Sequence, residues 1–318
     1  MASSVGGLIE AADYNSIRNK VIAVLGDGAG STGYGQTARL NSAAVSAGAS
    51  VTAAQWSNLR WDIFNTLLHQ NGTSPSIVTV ATGDTIRFGA ANPNNAYDTL
   101  ANTLTTNRFA LGAGQFVTES LGTRSSTAAW SSQKYIDIAY TFSTAAAARF
   151  FFNSGGLLRI TSSRSGGTSK DQNTAWSNLL TAASTQSFGG QTPSANFSPM
   201  NGTNFYRLTS SFQTYHTSTA SSPYGSNNYR LQASCNVGDN STGTANIVNI
   251  RVLFTDGYTD PDPGGGPFFA PSDSIDGTLT VTSDMIRPSG VMQVPPSTAT
   301  FTIAGPSSNL SSASFIFS

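Results

Sequence analysis

Charge is the scarcest property of this sequence. Only 10% of its 318 residues are Asp, Glu, Lys or Arg, and the formal net charge is zero. An ordinary globular protein carries about 25% charged residues. A surface this neutral gives weak self-repulsion and little electrostatic steering, which argues against a freely diffusing enzyme and for a component held in an assembly. The sixteen cations, thirteen Arg and three Lys, are scattered one at a time along the chain. No basic patch for nucleic acid results.

Cysteine is nearly absent too. Cys235 stands alone, which excludes an intrachain disulfide and a cysteine-based metal site and predicts a buried thiol. No window reaches the roughly 18 consecutive apolar residues of a membrane span. The start "MASSVGGLIEAADYN" has no basic stretch leading into an apolar one, so export by a signal peptide is not expected. Against these absences stand a hydrophobic fraction of 38% and 10% aromatic residues, sufficient for buried cores and a length that allows two domains.

Residues 1–75 read as a pair of helices around a glycine-rich loop. In "DYNSIRNKVIAVLGDG", Tyr14, Ile17, Val21, Val24 and Leu25 recur at helical spacing, with Asp13 as the expected cap and Gly26 as a left-handed end. In "VTAAQWSNLRWDIFNTLLHQNG", Thr52 and Gln55 form a capping box, and Trp56, Leu59, Ile63 and Leu67 form the apolar stripe before Gly72. The loop "GAGSTG" (28–33) has the glycine spacing of a dinucleotide fingerprint. Yet a helix precedes it where a strand is required, and no acidic residue follows about twenty positions on. We read it as a connection, with Tyr34 as an anchor and no cofactor.

From about residue 76 the period changes to two. "KYIDIAYTF" places Ile136, Ile138, Tyr140 and Phe142 on one face, and "NIVNIRVLF" does so with Val248, Ile250, Val252 and Phe254. "RFFFNSGGLLRI" carries a hairpin signature, and helices are expected in "PNNAYDTLANTLTTNRFALG" and "KDQNTAWSNLLTAA". Residues 76–258 therefore form a β-rich α+β domain with a mostly antiparallel sheet and inserted helices. "TDPDPGGGPFFAP" (259–271) reads as a linker. Residues 272–318, with "IDGTLTVTSDMI", "TATFTIAG" and "ASFIFS", read as a small all-β domain, sandwich-like and too small to be secure alone. It is expected to pack on another chain through Phe315 and Phe317.

No catalytic constellation emerges, and neither catalytic nor metal residues are assigned. His69 is expected to complement the last carbonyls of the second helix, and His216 to face solvent from a strand. Asp256, Asp260 and Asp262 lack the order of a calcium loop and read as linker solvation. "TYHTSTASSPYGSNNYR", with Tyr215, Tyr224 and Tyr229, has the composition of a binding loop.

Together "EAADYNSIRNKVIAVLG", "GSTGYGQT", "VTAAQWSNLRWDIFNTLLHQNG", "RFFFNSGGLLRITSSR" and "SIDGTLTVT" resemble virion structural proteins of tailed marine bacteriophages, especially contractile-tailed phages of cyanobacteria. The resemblance covers most of the chain and implies a non-enzymatic particle component of the neck, tail, baseplate or fibre, assembled in the host cytoplasm. Its partners would be other phage structural proteins and copies of itself, with no nucleic acid. The alternative is a receptor- or carbohydrate-binding module that recognises a host surface glycan.

Overall fold

Helix α1 (Ala11–Leu25) opens with Glu10 as N-cap, and the Asp13 carboxylate accepts the Glu10 N–H at 3.2 Å from inside the first turn. Asp13 thus caps from the third helical position. Gly26 ends the helix at φ −77°, so the left-handed end expected there is not formed. Glycine is needed for space instead, since a Cβ would lie 2.8 Å from the Ile22 carbonyl oxygen. Helix α2 (Ala53–Asn71) has the expected capping box, with Gln55 N–H donating to Thr52 Oγ1 and Thr52 N–H to Gln55 Oε1. It stops at Gly72 in the left-handed conformation, φ 74°.

The computed structural model describes residues 10–83, 97–191, 203–259, 274–289 and 292, and the backbone of 298–304. Helix α3 (Tyr97–Thr106) joins α1 and α2 in one apolar core. Trp56 is central, its ring 5.2 Å from both Tyr14 and Tyr97, and Lys20 pairs with Asp98 at 2.6 Å. The boundary expected at residue 75 is therefore crossed, because the apolar side of α3 completes the core the helix pair leaves open. Asp62, buried on α2, pins the loop between α1 and α2: it accepts the N–H groups of Asn41 and Ser42 at 2.9 Å each.

The rest is a β-sandwich with two helices. In chain order come β1 (Phe116–Ser126), β2 (Gln133–Thr141), α4 (Ala145–Asn153), β3 (Leu157–Ser165), α5 (Asp171–Ala183), β4 (Gln186–Phe188), β5 (Gln213–Thr219), β6 (Asn228–Cys235), β7 (Ile247–Thr255), β8 (Thr278–Pro288) and β9 (Thr298–Ala304). They form two antiparallel sheets, β1-β8-β3-β4 and β5-β6-β7-β2-β9. The fold is α+β.

Alternation decides which residues meet between the sheets. Leu158 and Ile160 of β3 and Val281 and Met285 of β8 share one core with Ile136, Ile138 and Tyr140 of β2 and Val248, Ile250 and Val252 of β7. Two hydroxyl pairs cross the gap, Tyr140 Oη to Ser283 Oγ at 2.6 Å and Ser162 Oγ to Tyr229 Oη at 3.0 Å. Cys235 is buried as a free thiol.

Two expectations need correction. The described strands of residues 272–318 do not form a separate β domain: β8 lies between β1 and β3, and β9 pairs with β2. Within this chain β8 is an internal strand, while β9 forms an edge beside β2; the terminal segment with Phe315 and Phe317, expected to pack on another chain, lies outside the described residues. The hairpin expected at 149–160 is a helix followed by a strand. Thr144 Oγ1 caps α4 by accepting the Ala147 N–H, and the four alanines 145–148 favour helix over the β-preference of the phenylalanines. Most of the expected linker, residues 260–271, lies outside the described residues.

Candidate functional site

The glycine loop presents the wrong atoms for a phosphate. Gly28, Gly30 and Gly33 have φ of 52°, 53° and 96°, and the chain doubles back so tightly that a Cβ on Gly33 would lie 2.2 Å from the Asp27 oxygen. Its carbonyls make the contacts to other elements, whereas the N–H groups of Ala29 and Thr32 bond within the loop, to Thr32 Oγ1 and Ala29 O. Asn153 Nδ2 reaches the oxygens of Gly30, Thr32 and Gly33 at 3.4, 2.9 and 3.1 Å. Arg149 donates to Asp27 O, Tyr206 to Gly30 O and Arg108 to Ser31 O, each at 2.9 Å. A phosphate cradle needs the reverse polarity. Here the loop clasps the helical core to the sandwich, and buried Tyr34 extends the clasp by donating to Arg108 O at 2.6 Å.

His69 belongs to the same junction. Its Nε2 lies 2.8 Å from the carbonyl oxygen of Ser154, so it reaches across to the end of α4 instead of complementing its own helix as expected. Burial pushes its pKa down to about 4, against a smaller upward effect of the Ser154 bond. His216 is half-buried, 2.9 Å from Ser218 Oγ, and burial lowers its pKa as well. It does not face open solvent, because the bulge between Thr214 and His216 turns it toward the Tyr229 ring.

The acidic residues are likewise engaged in structure. Asp256 is buried and accepts from Gln172 Nε2 at 2.8 Å, so it does not solvate a linker as expected; Asp260 and Asp262 lie outside the described residues. Asp276 accepts from Thr168 and Asn173, which with nearby Lys170 hold its carboxyl at about 2. Among the described residues no group of three or more His, Cys, Asp or Glu could hold a metal ion.

Of the expected interface residues, Tyr215 and Tyr229 are wrong. They are 2% and 0% exposed, because β5 and β6 turn them to the inner face, where Tyr215 meets Phe188 and Tyr229 meets Ser162. Tyr224 is half-buried in the β5–β6 connection, its ring 4.6 Å from that of Tyr258. Phe315 and Phe317 lie outside the described residues.

Among the described residues, two surface features stand out that composition did not single out. On α2, Trp61 is 47% exposed, edge-on to Phe64 at 5.4 Å and beneath the Arg60 guanidinium at 5.3 Å. Trp61, Phe64 and Leu68 lie three and four apart on a side distinct from the Trp56–Leu59–Ile63–Leu67 stripe; a second apolar side on a helix was the legible signal. The other is the outer face of the five-stranded sheet, where Tyr135, Asp137, Arg230, Gln232, Asn249 and Arg251 are all half-buried. Arg251 makes a two-pronged pair with Asp137, both bonds 2.7 Å, and its guanidinium lies 4.3 Å from the Tyr135 ring and 4.2 Å from the Phe212 ring.

No family model matches the chain, and neither a curated protein nor a solved structure does.

Proposed function

We propose that the chain is a non-enzymatic structural component of a tailed-phage particle, which joins its neighbours through the outward side of α2. The observation that carries this reading is Trp61, a large aromatic left 47% exposed beside half-buried Phe64 and Leu68, on the side of α2 away from its buried stripe. Exposed tryptophans with a flanking arginine are the residue types in which binding energy concentrates at protein interfaces. The histidines and the clasp around the glycine loop support it further, since their polar atoms bond within the fold. The low surface charge suits a subunit that works while bound to others.

The test is incorporation. Trp61→Ser should leave the melting temperature of the isolated protein within about 2 °C, as surface changes do, and should reduce its recovery in particles. Normal incorporation of the folded variant would remove α2 as the assembly contact.

A second reading, a glycan-binding module of a fibre, is favoured by the outer sheet face. There the rings of Tyr135 and Phe212 flank the Arg251 guanidinium, and Gln232 lies opposite Arg251 in the register, a mixture that suits the apolar faces and hydroxyls of sugars.

A further inference from the structure

The four sheet edges formed by the described residues are not alike. Short strands, bulges and charged side chains are the devices that keep an edge from pairing with another chain. β4 has three residues. β1 is bulged between Ser120 and Gly122 and carries Glu119 and Arg124, and β5 is bulged between Thr214 and His216. β9, "TATFTIA", has none of these devices. It runs against β2 in unbroken register from Thr298 to Ala304, with no charge, proline or glycine. Among the described residues no strand meets its other edge, which extends about 23 Å at the usual rise per residue.

The sequence of β9 narrows the choice of partner. Along the paired stretch of β2 the one charge is Asp137, opposite Thr302, and Arg251 takes it up. The edge therefore offers backbone groups, hydroxyls and apolar residues, and no charge for a partner to read. A second copy of β9 matches it. Paired antiparallel about Phe301, β9 sets Phe301 opposite Phe301 of the second copy and Thr300 opposite Thr302 of the second copy. Aromatic and Thr–Thr pairs are among the favourable cross-strand neighbours. The sides agree as well: Ala299, Phe301 and Ile303 stand opposite Tyr140, Ile138 and Ile136, which are buried between the sheets. A two-fold axis through Phe301 keeps these positions on the inner side in both copies, since opposite residues of a ladder share a face.

We propose that two copies of this chain pair antiparallel through β9 and so join their five-stranded sheets into one continuous sheet. A two-fold contact covers the open edge of both copies at once and leaves none to propagate. It is separate from the outward side of α2. A seven-residue ladder is smaller than the standard interface of about 800 Å² per partner, so the isolated dimer is expected to be weak.

The experiment is sedimentation equilibrium of the full chain at increasing concentration, with melting curves to establish that each variant is folded. The wild type should dimerise and go no further. Thr300→Lys with Thr302→Lys sets like charges opposite each other at both Thr300–Thr302 pairs and should weaken the dimer at least about tenfold. Thr300→Glu with Thr302→Lys makes both pairs Glu–Lys and should restore it. The two variants share Lys at 302, beside Asp137, and differ only in the sign at 300. Trp61→Ser, and Phe315→Ser with Phe317→Ser, should leave dimerisation unchanged. A monomer at every concentration, undiminished dimerisation of the two-lysine variant, or no recovery with the Glu–Lys variant would overturn the proposal. Loss of the dimer in the Phe315 and Phe317 variant would overturn it in favour of the terminal segment, and loss in Trp61→Ser in favour of α2.

Discussion

His69 Nε2 donates to the carbonyl oxygen of Ser154 at 2.8 Å, which joins the last turn of α2 to the residue that ends α4. Burial, rather than this bond, holds the imidazole pKa down, to about 4 against the usual 6.5, and so favours the neutral ring at ordinary pH. Its folded-state value is depressed, so the unfolded chain binds the proton first as the solution is acidified. The stability tied to His69 is fully present above about pH 6.5 and is lost as pH falls through about 4, on the order of 3 kcal/mol in total. Denaturant melts from pH 7 to 4 should show the wild type losing stability faster than His69→Gln, which keeps a donor but does not titrate. Parallel curves for the two proteins would refute this.

Lys134 should act at the alkaline end. It is buried, it donates to Ser126 Oγ at 2.9 Å and Ala128 O at 2.6 Å, and desolvation brings its pKa down to about 8. Because this folded value is also depressed, its contribution is complete above about pH 10.5 and is lost as pH falls through 8. Wild-type stability relative to Lys134→Met should rise between pH 8 and 10. A flat difference would mean that the amine is well solvated in the folded state.

The helical core should behave as a packed interior. Leu59 and Ile63 are fully buried against α1 and α3, so Leu59→Ala or Ile63→Ala should cost about 2–5 kcal/mol. A cost below about 1 kcal/mol in urea melts would remove them from the core.

The clasp depends on one side chain. Asn153→Ala withdraws the amide shared by the oxygens of Gly30, Thr32 and Gly33 and should cost about 1–3 kcal/mol. Cleavage within residues 27–33 by a nonspecific protease should accelerate under native conditions. If the loop resists the protease as in the wild type, its position is set by its own backbone and by Arg108, Arg149 and Tyr206.

Local rules made part of this architecture legible. The Thr52–Gln55 box, the Gly72 stop and the Trp56–Leu67 stripe were readable because caps and helical periodicity act over a few residues. The inner faces of β2 and β7 were readable for the same reason, since a period of two assigns each residue to a side. What sequence alone determined about this protein is therefore the type of several elements and the side each one buries.

Tertiary structure decided which elements meet. Alternation in "TLTVTSDMI" gives a buried side but no neighbour, and β8 became an internal strand because β1 and β3 pair with its two sides. Tyr215 and Tyr229 shared a polar stretch with Tyr224, yet strand pairing turned the first two inward and left Tyr224 in a connection. Arg230 and Tyr135 lie 95 positions apart and come into one row only through Leu253. Such pairings are set by long-range closure of the core, where the ordering of distant segments is repaid only once both sheets are in place, and short-range sequence carries no record of it.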